Sequence, residues 1–219
     1  MDDGAQLFDR KQEFSIGEHS RPHWTQSGAI TFSTLRLKDS IPREVIERWD
    51  QERLSFPHQH GILCENWRTG REQLTRSGRR DFEKHFNRIR EDELDTCRGK
   101  CLLRDTQTAK LIADSLMHFD EDRYLMGDFV VMPNHVHLLA VFPDGESMGK
   151  QCTSWMRYTA TRVNRSRGES GPLWQSEPFD HLVRSEVQLE YLRDYIAMNP
   201  SKAGLGPSDY LYRRSERQF

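Results

Sequence analysis

The run Asp128-Phe-Val-Val-Met-Pro-Asn-His-Val-His-Leu-Leu-Ala-Val-Phe142 limits the fold of this chain more than any other stretch. β-Branched and aromatic residues fill it, and Pro133-Asn134 interrupts it near its middle. That pattern predicts two strands, Arg123–Met132 and His135–Phe142, closed into an antiparallel hairpin by a short connection. Side chains two apart on a strand share a face, so His135 and His137 stand side by side while Val136 points into the core. Two neutral imidazole nitrogens can then reach one divalent metal, provided a third ligand comes from elsewhere. The alternative for any His-x-His is a pair of polar positions on the solvated face of a half-buried strand.

Around the hairpin the chain mixes strands and helices. Ala29–Leu37 reads as a strand, and Ser40-Ile-Pro-Arg opens a helix running to about Leu54. Residues 58–78 are turn-rich, whereas Asp81–Leu94 has helical, heavily charged character. Thr106 or Thr108 caps a helix through Phe119, and Met148–Val163 forms another. After a loop at 165–172 come a short strand at Phe179–Arg184 and a last helix from Glu186 to about Asn199, stopped by Pro200. This order predicts an α+β fold, a ferredoxin-like antiparallel sheet with helices packed on one side. Residues 1–27 read as a polar, mobile N-terminal tail. Residues 28–205 form one domain with an insertion around 58–104, and 206–219 a C-terminal tail.

A chain of 219 residues can bury a core of one moderately large domain. No apolar run is long enough to span a bilayer, and the amino terminus lacks a basic-then-apolar leader, so the expectation is a cytoplasmic protein with no membrane partner. Four scattered cysteines exclude a disulfide scaffold. Cys97 and Cys101 would need two more ligands to hold a structural zinc; the alternative is reduced thiols packed in a turn. A net charge of −2 argues against binding DNA by bulk charge alone. Locally the picture differs, because Lys150, Arg157, Arg162, Arg165 and Arg167 fall in a stretch with no acidic residue. An ordinary solvated helix face mixes both signs, whereas this one can track a short phosphate backbone.

The last helix carries Tyr195 and Asn199, four apart and therefore on one face. The Asn carbonyl is a hard ligand that suits Mg²⁺ or Mn²⁺ better than zinc. The chemistry that uses two His, a Tyr and an Asn together is phosphoryl transfer with a tyrosine nucleophile. A phenol is a weak attacker at neutral pH, and a divalent cation that polarises the phosphate offsets the weakness. In-line attack leaves a covalent phosphotyrosine and a free 3′-hydroxyl, so the bond energy is kept for resealing. Tyr158 is a competing nucleophile, although its partner four residues on is Arg162, which cannot ligate a metal. Trp174 and Gln175 can stack on or touch a base; a Trp beside Leu173 is otherwise a core residue.

Three segments in order, Met-Pro-Asn-His-Val-His-Leu-Leu139, Gly171-Pro-Leu-Trp-Gln175 and Tyr195-Ile-Ala-Met-Asn-Pro-Ser-Lys-Ala-Gly-Leu205, resemble the REP-associated tyrosine transposases. These are single-tyrosine members of the HUH nuclease superfamily, whose U is a hydrophobic residue, here Val136. The resemblance runs roughly from Ala29 to Leu205. It implies an HUH-nuclease type of fold with His135, His137 and Asn199 as metal ligands and Tyr195 as nucleophile. It also implies single-stranded DNA beside an imperfect hairpin as substrate, cut and rejoined through a 5′-phosphotyrosine during transposition or repeat processing. A monomer and a homodimer are both compatible with such a site. The reading from another class is a non-cleaving nucleic-acid-binding regulatory protein that keeps the fold.

Overall fold

The structure, a computed structural model, describes residues 4–18, 22–217 and 219. It divides into two compact units, one formed by residues 39–100 and the other by the segments on either side.

The larger unit is built on a five-stranded antiparallel sheet. Its strands, numbered with the helices in chain order, are β3 (Ile30–Arg36), β4 (Leu125–Val131), β5 (His135–Val141), β6 (Phe179–Leu182) and β7 (Leu211–Arg213), in the spatial order β6-β3-β5-β4-β7. The predicted hairpin is present: Val131 pairs with Val136 across the Pro133-Asn134 connection. β5 is the central strand and is buried along its whole length. The reason is that helices cover both faces of the sheet rather than one. Leu35, Val136, Leu138 and Ala140 pack with α4 (Thr106–Met117) and α5 (Gly145–Arg167). Ile30, Phe32, Leu139 and Val141 pack with α6 (Glu186–Lys202) on the opposite face. The expected one-sided packing is therefore corrected, and with it the alternative that places the His pair on a solvated face of β5.

Local chemistry explains the helix positions. Asp105, not Thr106 or Thr108, caps α4 by accepting from Thr108 N, and Asp144 caps α5 from Ser147 N. Ser185 accepts from Gln188 N while Gln188 Oε1 accepts from Arg184 N, which fixes where α6 begins. α6 continues through Pro200 to Lys202, so Pro200 does not stop it. Ala203 N still reaches Asn199 O at 3.1 Å, so the last turn closes around the proline. The β4–β5 register slips between Met126 and Phe129, a bulge that contains Gly127 and Asp128. Asp128 is buried there and accepts from Arg193 Nε of α6 (3.1 Å) and from Ser215 N (2.7 Å).

Two segments expected as tails carry structure. Of the N-terminal stretch, residues 1–3 and 19–21 lie outside the described residues. Its remainder forms an antiparallel pair, β1 (Ser15–Glu18) with β2 (Pro22–Thr25), and Trp24 stacks on Phe14 with centroids 5.2 Å apart. In the C-terminal stretch β7 pairs with β4, and Arg217 Nη1 meets Asp120 at 2.8 Å.

The smaller unit holds three helices, α1 (Arg43–Gln59), α2 (Trp67–Gln73) and α3 (Arg76–Asp95). It thus begins before the expected insertion and is helical where a turn-rich loop was expected. Leu74, Phe82 and Phe86 form one apolar cluster with Phe56 and Trp67, and Ile41, Val45, Trp49 and Leu94 form another.

Candidate active site

His135 and His137 project from β5 toward α6, one register step apart on the same face, with ring centroids 4.5 Å from each other. Both are buried, at 0 % and 1 % exposure, so neither belongs to a solvated face. Each ring is held by a neighbour. His135 Nδ1–H donates to Asn134 Oδ1 at 2.7 Å, because an amide oxygen only accepts; this leaves the lone pair on Nε2. That Nε2 is buried and has no hydrogen-bond partner among the described residues. Burial, and then the positive charge of Arg36, hold the ring far below the usual 6.5, at about 3, while the Asn199 side chain pulls the other way. His135 is therefore a neutral donor throughout the physiological range. His137 Nδ1 lies 2.9 Å from Thr34 Oγ1 of the facing strand, and its ring stacks on Phe32 at 5.4 Å.

α6 brings the second half. Its buried stripe is Leu189, Leu192, Tyr195, Ile196, Asn199 and Pro200, which puts Tyr195 and Asn199 on the face turned to the sheet. Tyr195 Oη is 3.4 Å from His137 Nε2. Where Nδ1–H donates to Thr34, Nε2 accepts the phenol proton. Tyr195 also meets Phe32 edge-on, and Lys202 Nζ stands 5.0 Å from its ring centroid. Asn199 is fully buried one turn further along. The four residues expected from two distant segments are thus together.

Among the described residues, no group of three or more His, Cys, Asp or Glu side chains is placed to hold a metal ion. Cys97 and Cys101 form no disulfide. A metal at the His pair needs the Asn199 amide as its third protein ligand. The donor set fits a hard divalent cation: two imidazoles, one of them with an orphaned buried lone pair, and an amide oxygen.

The other expected residues lie elsewhere. Arg157, Arg162, Arg165 and Arg167 are exposed on α5, and so is Lys150, whose Nζ pairs with Glu146 at 2.5 Å. α5 covers the sheet face opposite to α6, and Thr159 of α5 holds Trp174, which bridges to Leu37, whose N–H bonds to Asn134 O beside His135. Arg162 and Arg165 line an open groove of about 680 Å³ with Asp105, Gln107 and Thr108 at the start of α4. Just before α4, Leu103 N–H bonds to Pro133 O in the turn that carries Asn134 and His135. Tyr158 is half exposed on α5, across the sheet from both histidines. Trp174 is buried and donates from Nε1 to Thr159 Oγ1 at 2.8 Å, which makes it a core residue rather than a base-stacking platform. Gln175 is half-buried, with its N–H on Arg36 O. Sequence reasoning missed Thr34, Arg36 and Lys202. The pairing of β3 with β5 supplies the first two, and reading Pro200 as a stop hid the third.

No protein-family model matches the chain. Over 84 residues it is 27% identical to a curated protein of Haemophilus influenzae called a REP-associated tyrosine transposase. That stretch is 34% of this chain and 48% of the relative, so the chain spans about half the length of the curated relative it matches. Among solved structures, a REP-associated tyrosine transposase bound to a REP hairpin superposes with a TM-score of 0.44 at 16% identity, over 92% of this chain and 94% of that one. The likeness to REP-associated tyrosine transposases seen in the motifs is thus found again in a curated relative.

Proposed function

We propose that this protein nicks and rejoins single-stranded DNA beside a hairpin, with Tyr195 as nucleophile and a divalent metal, Mg²⁺ or Mn²⁺, as cofactor. The observation that carries the reading is the meeting of Tyr195 and Asn199 with His137 and His135, with the phenol oxygen 3.4 Å from an imidazole nitrogen. A retired site has no need of all four residues side by side.

His135, His137 and Asn199 would hold the metal, which supplies charge to polarise the scissile phosphate and to offset the charge that develops on it. Asn134 and Thr34 orient the imidazoles. Tyr195 Oη forms a bond to phosphorus as the bond from phosphorus to the 3′ oxygen breaks. The phenol loses one proton and the departing 3′ oxygen takes one up, so the step balances. The product is a 5′-phosphotyrosine, which a 3′-hydroxyl can attack in reverse. Lys202 places a positive charge beside the reacting phenol. The exposed arginines of α5, at the end of the sheet that bears the His pair, grip the flanking backbone.

A denaturing-gel assay with labelled hairpin DNA and Mn²⁺ tests this. A covalent adduct is expected with the native chain and none with Tyr195→Phe, while the variant still binds the hairpin. An adduct that survives Tyr195→Phe removes Tyr195 as nucleophile. No adduct from the native chain leaves a non-cleaving binding protein.

A further inference from the structure

The smaller unit carries a feature that the nicking chemistry does not use. On α3 the buried residues are Gly78, Phe82, Phe86, Arg90 and Leu94, a single row at intervals of four. Arg76, Arg80, Lys84 and Arg88 form a second row at the same interval, each two residues ahead of a buried one. Two residues turn about 200° around a helix, so the second row looks away from the unit's core along its whole length. All four cations are exposed. Among the described residues, only Arg88 of the four pairs along the helix, with Asp92 at 3.8 Å, where the row ends.

The charge order on α3 opposes helix stability. A helix favours acids in its first turn and bases in its last. α3 has no acid in its first turn and no base in its last; Arg76 and Arg79 crowd the start, while Asp92, Glu93 and Asp95 lie at the end. Arg80 and Lys84 extend the positive face beyond the first turn, where the helix end no longer acts. Local rules of this kind are broken at functional or strained sites.

We propose that this row of α3 is a docking surface for the phosphate backbone of duplex DNA, an inference that rests on the DNA reading above. Steps of about 6 Å give the row a length of about 18 Å. At about 3.4 Å of axis per phosphate on one strand, that length spans on the order of five phosphates. The aromatic residues of α3, Phe82 and Phe86, are both buried, so the row offers charge without stacking platforms. Such a surface suits a base-paired stem, whose bases are hidden, rather than an unpaired strand.

The test uses the full chain carrying Arg76→Gln, Arg80→Gln and Lys84→Gln, a triple change that keeps helix propensity. Binding to a blunt DNA duplex of arbitrary sequence is measured against salt concentration, beside adduct formation on a short single-stranded oligonucleotide without a stem. Every phosphate that goes unneutralised lowers the steepness of log affinity on log salt by about 0.9, so three lower it by about 2.7. The fall in affinity between about 50 and 200 mM salt then shrinks about 40-fold relative to the native chain. The thermal midpoint should hold or rise, since Arg76 opposes the helix dipole while Arg80 and Lys84 lie beyond its reach. An unchanged slope overturns the proposal, as does an effect confined to duplex RNA or a native chain that does not bind duplex DNA. A native chain that binds duplex through this row yet yields no adduct on hairpin DNA with Mn²⁺ leaves the proposal standing and refutes the nicking reading.

Discussion

Titration of His135 offers the sharpest check on the geometry of the site. The ring is fully buried beside Arg36 and protonates at about 3, against 6.5 for a free histidine. In metal-free protein the unfolded chain therefore takes up a proton near 6.5 and the folded chain only near 3. Between those values the unfolded state binds more protons, so stability is fully present above 6.5 and is lost as pH falls. Each unit of pKa difference corresponds to about 1.4 kcal/mol. The loss assigned to this one ring is about 2 kcal/mol at pH 5 and about 3 kcal/mol at pH 4, relative to neutral pH. Urea unfolding of the native chain and of His135→Gln at a series of pH values, both with a chelator, isolates the contribution. The native curve should fall more steeply with acid by these amounts, and nitrogen-15 shifts of the ring should report a neutral imidazole protonated on Nδ1 down to about pH 5. Parallel stability curves, or a midpoint near 6.5 in the folded protein, would refute the buried placement of the ring.

Asn134→Ala removes the acceptor of a buried ring N–H and should cost about 1–3 kcal/mol in urea unfolding. It should also weaken Mn²⁺ binding, measured by calorimetry, about 10–100-fold, the usual effect of removing a group that orients a ligand. Asp128→Ala leaves Arg193 of α6 without its buried counter-charge and should cost about 3–5 kcal/mol; a loss below about 1 kcal/mol would show that the pair does not hold α6. Trp174→Phe deletes one buried hydrogen bond and should cost about 1 kcal/mol with DNA affinity unchanged. Weaker single-strand binding at unaltered stability would restore Trp174 as a stacking residue.

What the sequence disclosed and what it hid divide along physical lines. The β4–β5 hairpin was legible because residue type, alternation and Pro133-Asn134 all agree on it. The shared face of Tyr195 and Asn199 was legible because helix periodicity is local. Burial of the histidines was not, since it depends on α6 covering one sheet face while α4 and α5 cover the other. α2 was hidden by Gly70, which resembles a turn residue. It sits mid-helix because a side chain there would strike Pro57 and Cys64. β1 and β2 were hidden because each is four residues long with too little apolar alternation to read, and the stack of Trp24 on Phe14 that accompanies them follows no local period.

The burial of the site constrains how it can work. His135, His137 and Asn199 are at most 1 % exposed and Tyr195 is 8 % exposed, so neither a metal nor a phosphate reaches them while α6 stays seated. The seat has two fastenings, the apolar stripe of α6 on the sheet and the bond from Arg193 to Asp128, which Ser215 of the C-terminal segment also holds. The second lies two residues from Tyr195. Where His137 Nδ1–H donates to Thr34, moreover, Nε2 carries the lone pair that Tyr195 Oη faces at 3.4 Å. A metal held by His135, His137 and Asn199 would compete with Tyr195 Oη for that nitrogen and would supply the charge that polarises a scissile phosphate. Under the proposed chemistry, Tyr195 would act as nucleophile only once its contact with His137 is given up.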